Sequence, residues 1–517
     1  MAATSEPLPL TGAARSVGTL SLALATFMNV LDTSIANVSL SAIGGDLGAS
    51  TTQLTWVITS FAVANAIAVP LTGWLTQRFG AVRLFVSSIV LFTIASLMCG
   101  LSTSLQMLIA FRVLQGAVAG PMIPLSQALL LSSFPKAKAG SALAIWAMTT
   151  LVAPVMGPLL GGWITDNISW PWIFYINIPV GVFAAATTWS IYKSRETPVK
   201  KLPIDVIGLT LLIVWVGSLQ VMLDKGQELD WLHSSTIVAL AVVAVIGFCV
   251  FVVWELVENP YPVVDLRLFR GRNFWTGTLA LSLGYGVFFG NVVVLPLWLQ
   301  QYMGYTATDA GLLTAPVGIL ALLLSPLVGK WVGKADPRLL ATVAFLIFGA
   351  SLYMRTGYDT QADFSHLVVP IIIQGAGMAF FFVPLVSLLL SGLPPARIPA
   401  ASGLSNFARI LAGSFGTSLA TTLWDNRATY HHAQLAEYVT QGRPAAEQYM
   451  ATLQGGGLSL QQTAGAIDRT LDVESHLLAA NDLFWLSSLL FFGLIAVVWL
   501  ARRTRASAPP GAAGGAH

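Results

Sequence analysis

Charged residues are scarce in this chain of 517 residues: 9% are Asp, Glu, Lys or Arg, while 55% are hydrophobic and the mean hydropathy is +0.74. Soluble domains carry roughly 25% charged residues, so this composition excludes a soluble fold. Cysteine is also rare, and both residues, Cys99 and Cys249, fall within apolar runs, which predicts no disulfide. The motifs HExxH and GxSxG and the phosphate loop GxxxxGKS/T are missing. Their absence argues against an intramembrane hydrolase and against an ATP-driven pump.

Long apolar runs are what the sequence has in abundance. They are about 20 residues each, which is the length of a helix that crosses a bilayer and not that of the alternating strands of a barrel. We therefore predict an all-α integral membrane protein. Windows of about 19 residues predict fourteen transmembrane helices. These lie near residues 17–39, 54–75, 83–101, 106–131, 140–163, 172–192, 204–223, 235–256, 274–299, 310–333, 338–355, 366–392, 401–423 and 482–501.

The 26 Lys and Arg residues are distributed unevenly between the two ends of these helices. Nineteen lie in segments on the same side of the membrane as the N-terminus, and Arg112 and Arg409 lie inside spans. The opposite side holds only five, which are Lys225, Arg355, Arg427, Arg443 and Arg469. Because cytoplasmic segments are enriched in Lys and Arg, we predict that both termini are cytoplasmic.

The chain repeats itself weakly at an offset near 259 residues. The sequence PLTG at 70–73 recurs as PLVG at 326–329, and QG at 115–116 recurs at 374–375. Parallel repeats of this kind build two-bundle transporters with the substrate site at the repeat interface. We predict two six-helix bundles plus two inserted helices. The expected boundaries are a cytoplasmic leader at 1–15, bundles at 16–192 and 274–501, inserted helices at 203–257 and a cytoplasmic tail at 502–517.

Asp32 is a carboxylate inside the first apolar span, where a charge costs at least ~2.5 to 3.5 kcal/mol. Arg112 lies at a similar depth in the fourth span, since each residue is about seven positions, or ~10 Å, from the outer end of its helix. At the repeat offset their counterparts are Asn291 and Ile371, so the charges at these two positions occur in one half only. This asymmetry favours a role in proton coupling, with a structural ion pair as the alternative.

A further set of side chains is predicted to line a cavity for lipophilic and cationic molecules, through ring faces and polar groups. The candidates are Phe27, Asn29, Asn37, Trp56, Phe61, Asn65, Gln115, Gln127, Trp146, Tyr285, Asn291 and Arg409. Each aromatic residue alone is equally suited to helix packing. For Arg409 two interpretations stay open: it lines the cavity, or it snorkels or bonds carbonyls at a Gly-rich crossing near Gly413 and Gly416.

The segment 425–481 lies between the last two spans and has helical character at 428–438 and 459–478. Ser459 and Gln462 form the sequence pattern of a capping box, which marks a helix start. We predict a helical protrusion on the side of the membrane opposite the termini. Its apolar residues either pack against each other as a hairpin or dock onto a partner protein.

Several motifs resemble those of the fourteen-helix drug:proton antiporters of the major facilitator superfamily. They are LDTSIANV at 31–38, GWLTQRFGAVR at 73–83, LIAFRVLQG at 108–116, APVMGPLLGG at 153–162 and WPWIFYINIPVG at 170–181. By this resemblance, the residues expected to support conformational change are Gly73, Arg78, Gly80, Arg83, Gly157, Pro158, Gly161 and Gly162. Gln77 departs from the family pattern, which has an acidic residue there, and this puts an acid-to-Arg gating contact at that position in doubt.

The resemblance implies the major facilitator fold and a proton-coupled exporter of hydrophobic drugs and uncouplers. It implies that the proton motive force drives transport, with no bound cofactor or metal and no nucleic acid partner. It also implies a location in a bacterial inner membrane. The partners it implies are a periplasmic membrane-fusion adaptor and a TolC-like outer-membrane channel, which receive the substrate. Export of one specific metabolite or siderophore is the alternative function.

Overall fold

The structure of the chain is a computed structural model that describes residues 9–135, 138–258, 261–332, 334–439 and 443–503. Within these ranges the chain forms twenty α-helices and no strand. Parts of the predicted leader and tail, 1–8 and 504–517, lie outside the described residues.

The helices follow one another in three groups. The first group is α1 (Gly12–Val38), α2 (Leu40–Leu47), α3 (Thr51–Ala68), α4 (Thr72–Phe79), α5 (Ala81–Gly100), α6 (Leu105–Ala119), α7 (Met122–Ser133), α8 (Ala139–Asn167), α9 (Trp172–Tyr175) and α10 (Asn177–Tyr192). The second is α11 (Val206–Lys225) and α12 (Ser235–Val253). The third is α13 (Arg272–Gln301), α14 (Ala307–Thr314), α15 (Pro316–Val332), α16 (Pro337–Arg355), α17 (Phe364–Leu390), α18 (Ile398–Ala436), α19 (Pro444–Gly455) and α20 (Leu460–Trp499).

Among the described residues, twelve helices are long and apolar enough to cross a membrane, and α8 makes a thirteenth when its two parts are taken as one span. The two parts of α8 meet at an angle of 42° between Pro154 and Leu159. The remaining predicted span, 401–423, lies within α18, which is helical throughout but more polar than the other spans. Its polar residues include Arg409, which belongs to the candidate site.

Side-chain caps fix several helix ends because they satisfy backbone N–H groups that have no partner within the helix. At the start of α6, Ser104 Oγ accepts a hydrogen bond from the backbone N–H of Met107. At the start of α20, Ser459 Oγ accepts from the N–H of Gln462, and Gln462 Oε1 accepts from the N–H of Ser459. The predicted capping box is therefore confirmed.

The first and third groups of helices form two halves that touch closely on one side of the membrane. This is the side where α1 begins and α20 ends, and we call it the terminal side. A Cβ atom added to Gly140 of α8 would lie 2.2 Å from the carbonyl oxygen of Gly329 in α15, and one added to Gly73 of α4 would lie 2.5 Å from Cβ of Ala400 in α18. Glycines at both crossings let the helices of the two halves approach.

On the opposite side, here called the protrusion side, α11 lies against both halves. Toward the first half, Thr59 of α3 donates to Asp224 Oδ2, and Lys225 Nζ donates to Thr55 Oγ1 at 2.6 Å. Toward the second half, Ser418 of α18 donates to the carbonyl oxygen of Leu223 at 3.0 Å. The end of α11 therefore bridges the two halves.

The protrusion consists of α19 together with the ends of α18 and α20. The predicted helices at 428–438 and 459–478 are continuations of the membrane helices α18 and α20. Trp424 Nε1 donates to the carbonyl oxygen of His476 at 2.9 Å, and Arg427 pairs with Asp482 at 2.5 Å. Through these contacts the two extended helices pack against each other at the base of the protrusion.

Candidate functional site

Asp32 is fully buried in the C-terminal half of α1, and three donors surround its carboxylate. Arg112 Nη1 lies 2.5 Å from Oδ2, Gln115 Nε2 donates to Oδ1 at 2.9 Å, and Asn177 Nδ2 donates to Oδ1 at 3.0 Å. Arg112 and Gln115 come from α6, one helical turn apart, and Asn177 begins α10. One carboxylate therefore joins three helices of the first half.

The guanidinium of Arg112 makes several contacts. Besides the ion pair, Nη1 donates to Gln115 Oε1 at 2.7 Å and Nε donates to the carbonyl oxygen of Val57 at 3.0 Å. The Phe61 ring lies 4.2 Å and the Phe174 ring 5.7 Å from the guanidinium carbon, within cation–π range. Nη2 is buried without a hydrogen-bond partner among the described residues. The site therefore holds the arginine in one orientation and leaves one donor atom unpaired.

Two polar residues of this site were missed by sequence reasoning. Asn177 donates to Ser96 Oγ at 2.9 Å as well as to Asp32, and Ser96 donates to the carbonyl oxygen of Phe174 at 2.9 Å. The signal available for Asn177 was its amide inside the apolar segment at 170–181. No such signal was available for Ser96, because the hydroxyl of a serine in a membrane helix ordinarily donates to a backbone carbonyl of its own helix.

In the second half, the counterpart Asn291 donates to Ser487 Oγ at 2.9 Å, so no charge replaces Asp32 there. Arg355, however, is only 1% exposed, and its Nη2 donates at 2.5 Å to Gln374, the counterpart of Gln115. The second half therefore also holds a buried arginine, beside this glutamine. Sequence reasoning did not single it out, because Arg355 is the last residue of α16 and of the predicted span 338–355; its side chain turns inward, and its guanidinium carbon lies 5.8 Å from the Phe484 ring.

A second group of candidate residues meets where the two halves face each other. The guanidinium carbon of Arg409 lies 4.5 Å from the Tyr285 ring and 5.9 Å from the Phe382 ring, and its Nη2 donates to Asn406 at 2.9 Å. Phe382 in turn meets Trp146 of the first half at 6.5 Å between ring centres. We call Trp146, Tyr285, Phe382 and Arg409 the central group. It combines one cation with three aromatic rings.

The other candidate side chains are not gathered in either place. Asn29 donates to the carbonyl oxygen of Ala119 at 3.2 Å, which joins α1 to α6, and Gln127 is buried. Asn37 and Trp56 are exposed, while Phe27 and Asn65 are half-buried. Of the predicted cavity residues, the structure thus brings Phe61 and Gln115 to the Asp32 site and Trp146, Tyr285 and Arg409 to the central group.

The loop between α4 and α5 receives a carboxylate from elsewhere in the chain. Glu196 accepts hydrogen bonds from the backbone N–H groups of Val82 and Arg83 at 3.0 and 2.9 Å, so it caps the N-terminus of α5. Gly80 has φ of +90°, and a Cβ there would lie 2.4 Å from Glu196 Oε1. Among the described residues, the side chain of Gln77, where the family pattern has an acid, donates only to the carbonyl oxygen of Gly73 within its own helix, at 3.4 Å.

Glycines of α8 bring that helix against the helix of Asp32. A Cβ on Gly157 would lie 2.3 Å from Ser34 Oγ, and one on Gly161 would lie 2.8 Å from a side-chain carbon of Ile35. Gly162 has more room, with its nearest neighbour at 3.9 Å. The side chain of Pro158 lies outside the described residues. The small residues therefore allow close contact of α8 with α1 next to Asp32.

Two halves of membrane helices, with a buried ion pair in one half and a polar group between the halves, define a secondary transporter of the major facilitator type. Residues 22–417 match the family model of the Major Facilitator Superfamily, and the chain belongs to this superfamily. The resemblance noted in the sequence and the predicted fold class are confirmed.

The chain is similar to named members of the superfamily over nearly its whole length. It is 50% identical over 514 residues to the multidrug export protein EmrB of Escherichia coli strain K12, covering 98% of this chain and 99% of that protein. It is also 50% identical to the fatty acid resistance protein FarB of Neisseria gonorrhoeae, covering 96% and 97% of the two chains. Among solved structures, the human organic anion transporter MFSD10 (TETRAN) is similar with a TM-score of 0.59 and 13% identity, covering 94% of this chain and 100% of that one, which shows the shared fold.

Proposed function

We propose that this protein is a proton-coupled exporter of structurally varied hydrophobic compounds that works by alternating access. The observation that carries the proposal is the buried carboxylate of Asp32, which holds donors from α6 and α10. When a proton neutralises this carboxylate, its attraction to Arg112 is lost and one of its oxygens becomes a donor. Protonation therefore favours a different packing of α1 against α6 and α10, which couples the proton to a conformational change.

We propose that the transported compound binds at the central group. It lies between the two halves, as substrate sites of transporters with parallel repeats do. The rings of Trp146, Tyr285 and Phe382 offer apolar faces, and the guanidinium of Arg409 offers a donor for a polar end. The name of the EmrB relatives, multidrug export protein, supports a range of hydrophobic compounds as substrates.

The second candidate function is the export of one specific metabolite or siderophore that is an amphipathic acid. The cation of Arg409 among aromatic rings favours it, since a carboxylate pairs well with a guanidinium beside an apolar surface. The name of the FarB relative, fatty acid resistance protein, supports the same class of compound. A transport assay run compound by compound separates the two functions, because a specific exporter moves one chemical class and a multidrug exporter moves several.

The proposed location is a bacterial inner membrane with both termini cytoplasmic. The excess of Lys and Arg on the terminal side supports this orientation. It places the protrusion in the periplasm, where we propose that it docks onto a membrane-fusion adaptor connected to a TolC-like channel. We also propose that 16–192 and 274–501 are the two moving bundles and that 203–257 is an insertion between them.

The experiment that tests the function is drug transport into inverted membrane vesicles with an imposed pH gradient and no ATP. Wild-type protein is expected to concentrate several hydrophobic compounds, and Asp32→Asn is expected to abolish this while inserting normally, because an amide costs less than a carboxylate at that depth. Asp468→Asn is the matched control, since the Asp468 side chain is 75% exposed. Transport by Asp32→Asn at the wild-type rate would remove Asp32 from proton coupling.

A further inference from the structure

A cavity of about 360 Å³ lies on the terminal side, away from the central group. It is formed by the end of α4, the start of α5 and the segment that links α10 to α11. Its lining residues are Arg78, Phe79, Arg83, Leu84, Ser87 and Val199. Arg83 is the third residue of the membrane helix α5, so the cavity opens where that helix leaves the bilayer.

Two arginines line this cavity and none of its lining residues is acidic. The carboxylate of Glu196 is nearby, but both of its oxygens accept hydrogen bonds from backbone N–H groups, those of Val82 and Thr197 on Oε1 and that of Arg83 on Oε2. In the described part of the chain, the guanidinium of Arg83 makes neither an ion pair nor a hydrogen bond. Arginine stays charged in proteins, so this cation needs an anion or water.

Arg78 is positioned to share an anion with Arg83. Its Nη1 donates a hydrogen bond to the carbonyl oxygen of Leu202, and its guanidinium carbon lies 5.4 Å from the Trp74 ring. These contacts fix the side chain and leave its other N–H groups for a ligand, because a guanidinium carries five donors. Two guanidinium groups facing one cavity suit the two non-bridging oxygens of a phosphodiester, which share one negative charge.

Two apolar residues of the cavity wall are exposed. The side chains of Phe79 and Val199 are 49% and 47% exposed, although both line the cavity. Exposed apolar residues beside an anion site at the edge of a bilayer suit a molecule with an anionic head and hydrocarbon tails. A free inorganic ion would leave these side chains uncovered.

We propose that this cavity binds the phosphate group of an anionic phospholipid, with Arg78 and Arg83 as its ligands. Basic pockets at the ends of membrane helices are known lipid headgroup sites. Ser87 takes no direct part, because its hydroxyl donates to the carbonyl oxygen of Leu84 at 3.0 Å. The bound lipid covers Phe79 and Val199 and joins the α4–α5 loop to the segment between α10 and α11.

The test is native mass spectrometry of the purified, delipidated full-length protein titrated with phosphatidylglycerol or phosphatidylcholine. Wild-type protein is expected to retain phosphatidylglycerol in preference to phosphatidylcholine. Removing each arginine, in Arg78→Gln and Arg83→Gln, is expected to weaken retention about fivefold, the effect of one basic residue at a lipid surface. Arg397→Gln, an exposed arginine of the same side, is the matched control and is expected to change nothing.

Three results would overturn the proposal. Unchanged phosphatidylglycerol retention by the Arg78→Gln/Arg83→Gln double variant would remove these residues from lipid binding. Equal retention of phosphatidylcholine by wild type would show unspecific lipid around the helices. Displacement of the lipid by millimolar inorganic phosphate would identify a free ion as the ligand. Because Arg83 is exposed, Arg83→Gln alone keeps the test valid if the double variant does not fold.

Discussion

Arg112 illustrates how much of a buried ion pair depends on the shape of one side chain. Taking both charges out of water is costly, and the attraction between them offsets this cost only when further hydrogen bonds complete the geometry. Arg112 achieves this through Val57, Gln115 and the ring of Phe61. A buried pair held in this way therefore adds little to the stability of the fold by itself, but it fixes the orientation of the arginine side chain.

Replacing Arg112 by Lys is expected to impair transport about tenfold, although the charge is retained, because an ammonium cannot supply the planar fork of donors. Arg112→Ala is expected to abolish transport, since it leaves Asp32 as an uncompensated buried charge. The measurement is the initial rate of drug uptake in vesicles at a fixed pH gradient. Arg267→Lys, at an exposed position, is the control. Wild-type rates in Arg112→Lys would mean that charge alone suffices at this position.

At the scale of elements, α11 is the feature that distinguishes this chain from a simple pair of six-helix halves. Its last turns bond to α3 through Asp224 and Lys225 and to α18 through Gln220 and Leu223. On the terminal side, by contrast, α4 and α18 touch directly. If the two halves rock, the bonds between α11 and one half must break on the protrusion side.

The double variant Ser414→Ala/Ser418→Ala removes two hydroxyls that α18 donates to α11, at 3.0 Å each. Since one hydrogen bond contributes about 1 kcal/mol, we expect a several-fold shift toward conformations open on the terminal side. The measurement is maleimide labelling of Ala400→Cys in a background of Cys99→Ala and Cys249→Ser, because Ala400 packs on Gly73 when that side is closed.

The control for this experiment is Thr421→Ala, because the Thr421 hydroxyl donates to carbonyl oxygens of its own helix, those of Thr417 and Ser418, and to no other group in the described part of the chain. Equal labelling of the double variant, the control and the parent would show that the α11 bridge does not influence the equilibrium between the two halves.

At the scale of the whole molecule, the protrusion has a stable base and exposed apolar residues farther out. Its base is held by the pair Arg427 with Asp482 and by stacking of Tyr302 on His476 at 4.0 Å. Tyr438, Tyr449 and Leu460 remain 61%, 45% and 76% exposed. Self-packing of α18 and α20 therefore leaves apolar surface that is available to another protein.

Joining Arg427 to Asp482 by a brief Gly/Ser linker is expected to spare drug transport in vesicles and to abolish co-purification with the proposed adaptor and resistance in whole cells. A short linker suffices because these two side chains already pair at 2.5 Å. The control removes only 440–458, which deletes α19 and keeps the two long helices. Full adaptor association after the large deletion would contradict the docking proposal, and loss of vesicle transport would place the protrusion in the transport cycle.

The sequence alone determined the class of the protein and the position of its helices, and it identified Asp32 and Arg112 as charges at membrane depth. These are local properties: a run of about 20 apolar residues specifies a membrane helix, and one charge within it is conspicuous. The capping box at Ser459 was readable for the same reason, because all of its atoms lie within four residues.

The tertiary structure decided which side chains meet. Asn177 and Ser96 joined the Asp32 site, Arg355 turned into the second half, and Glu196 capped the N-terminus of α5. None of these contacts is encoded by a local pattern, because neutral polar residues are common in membrane helices and each partner lies on another helix or loop. They depend on which faces of distant helices pack together, and that is fixed only when the whole chain is assembled.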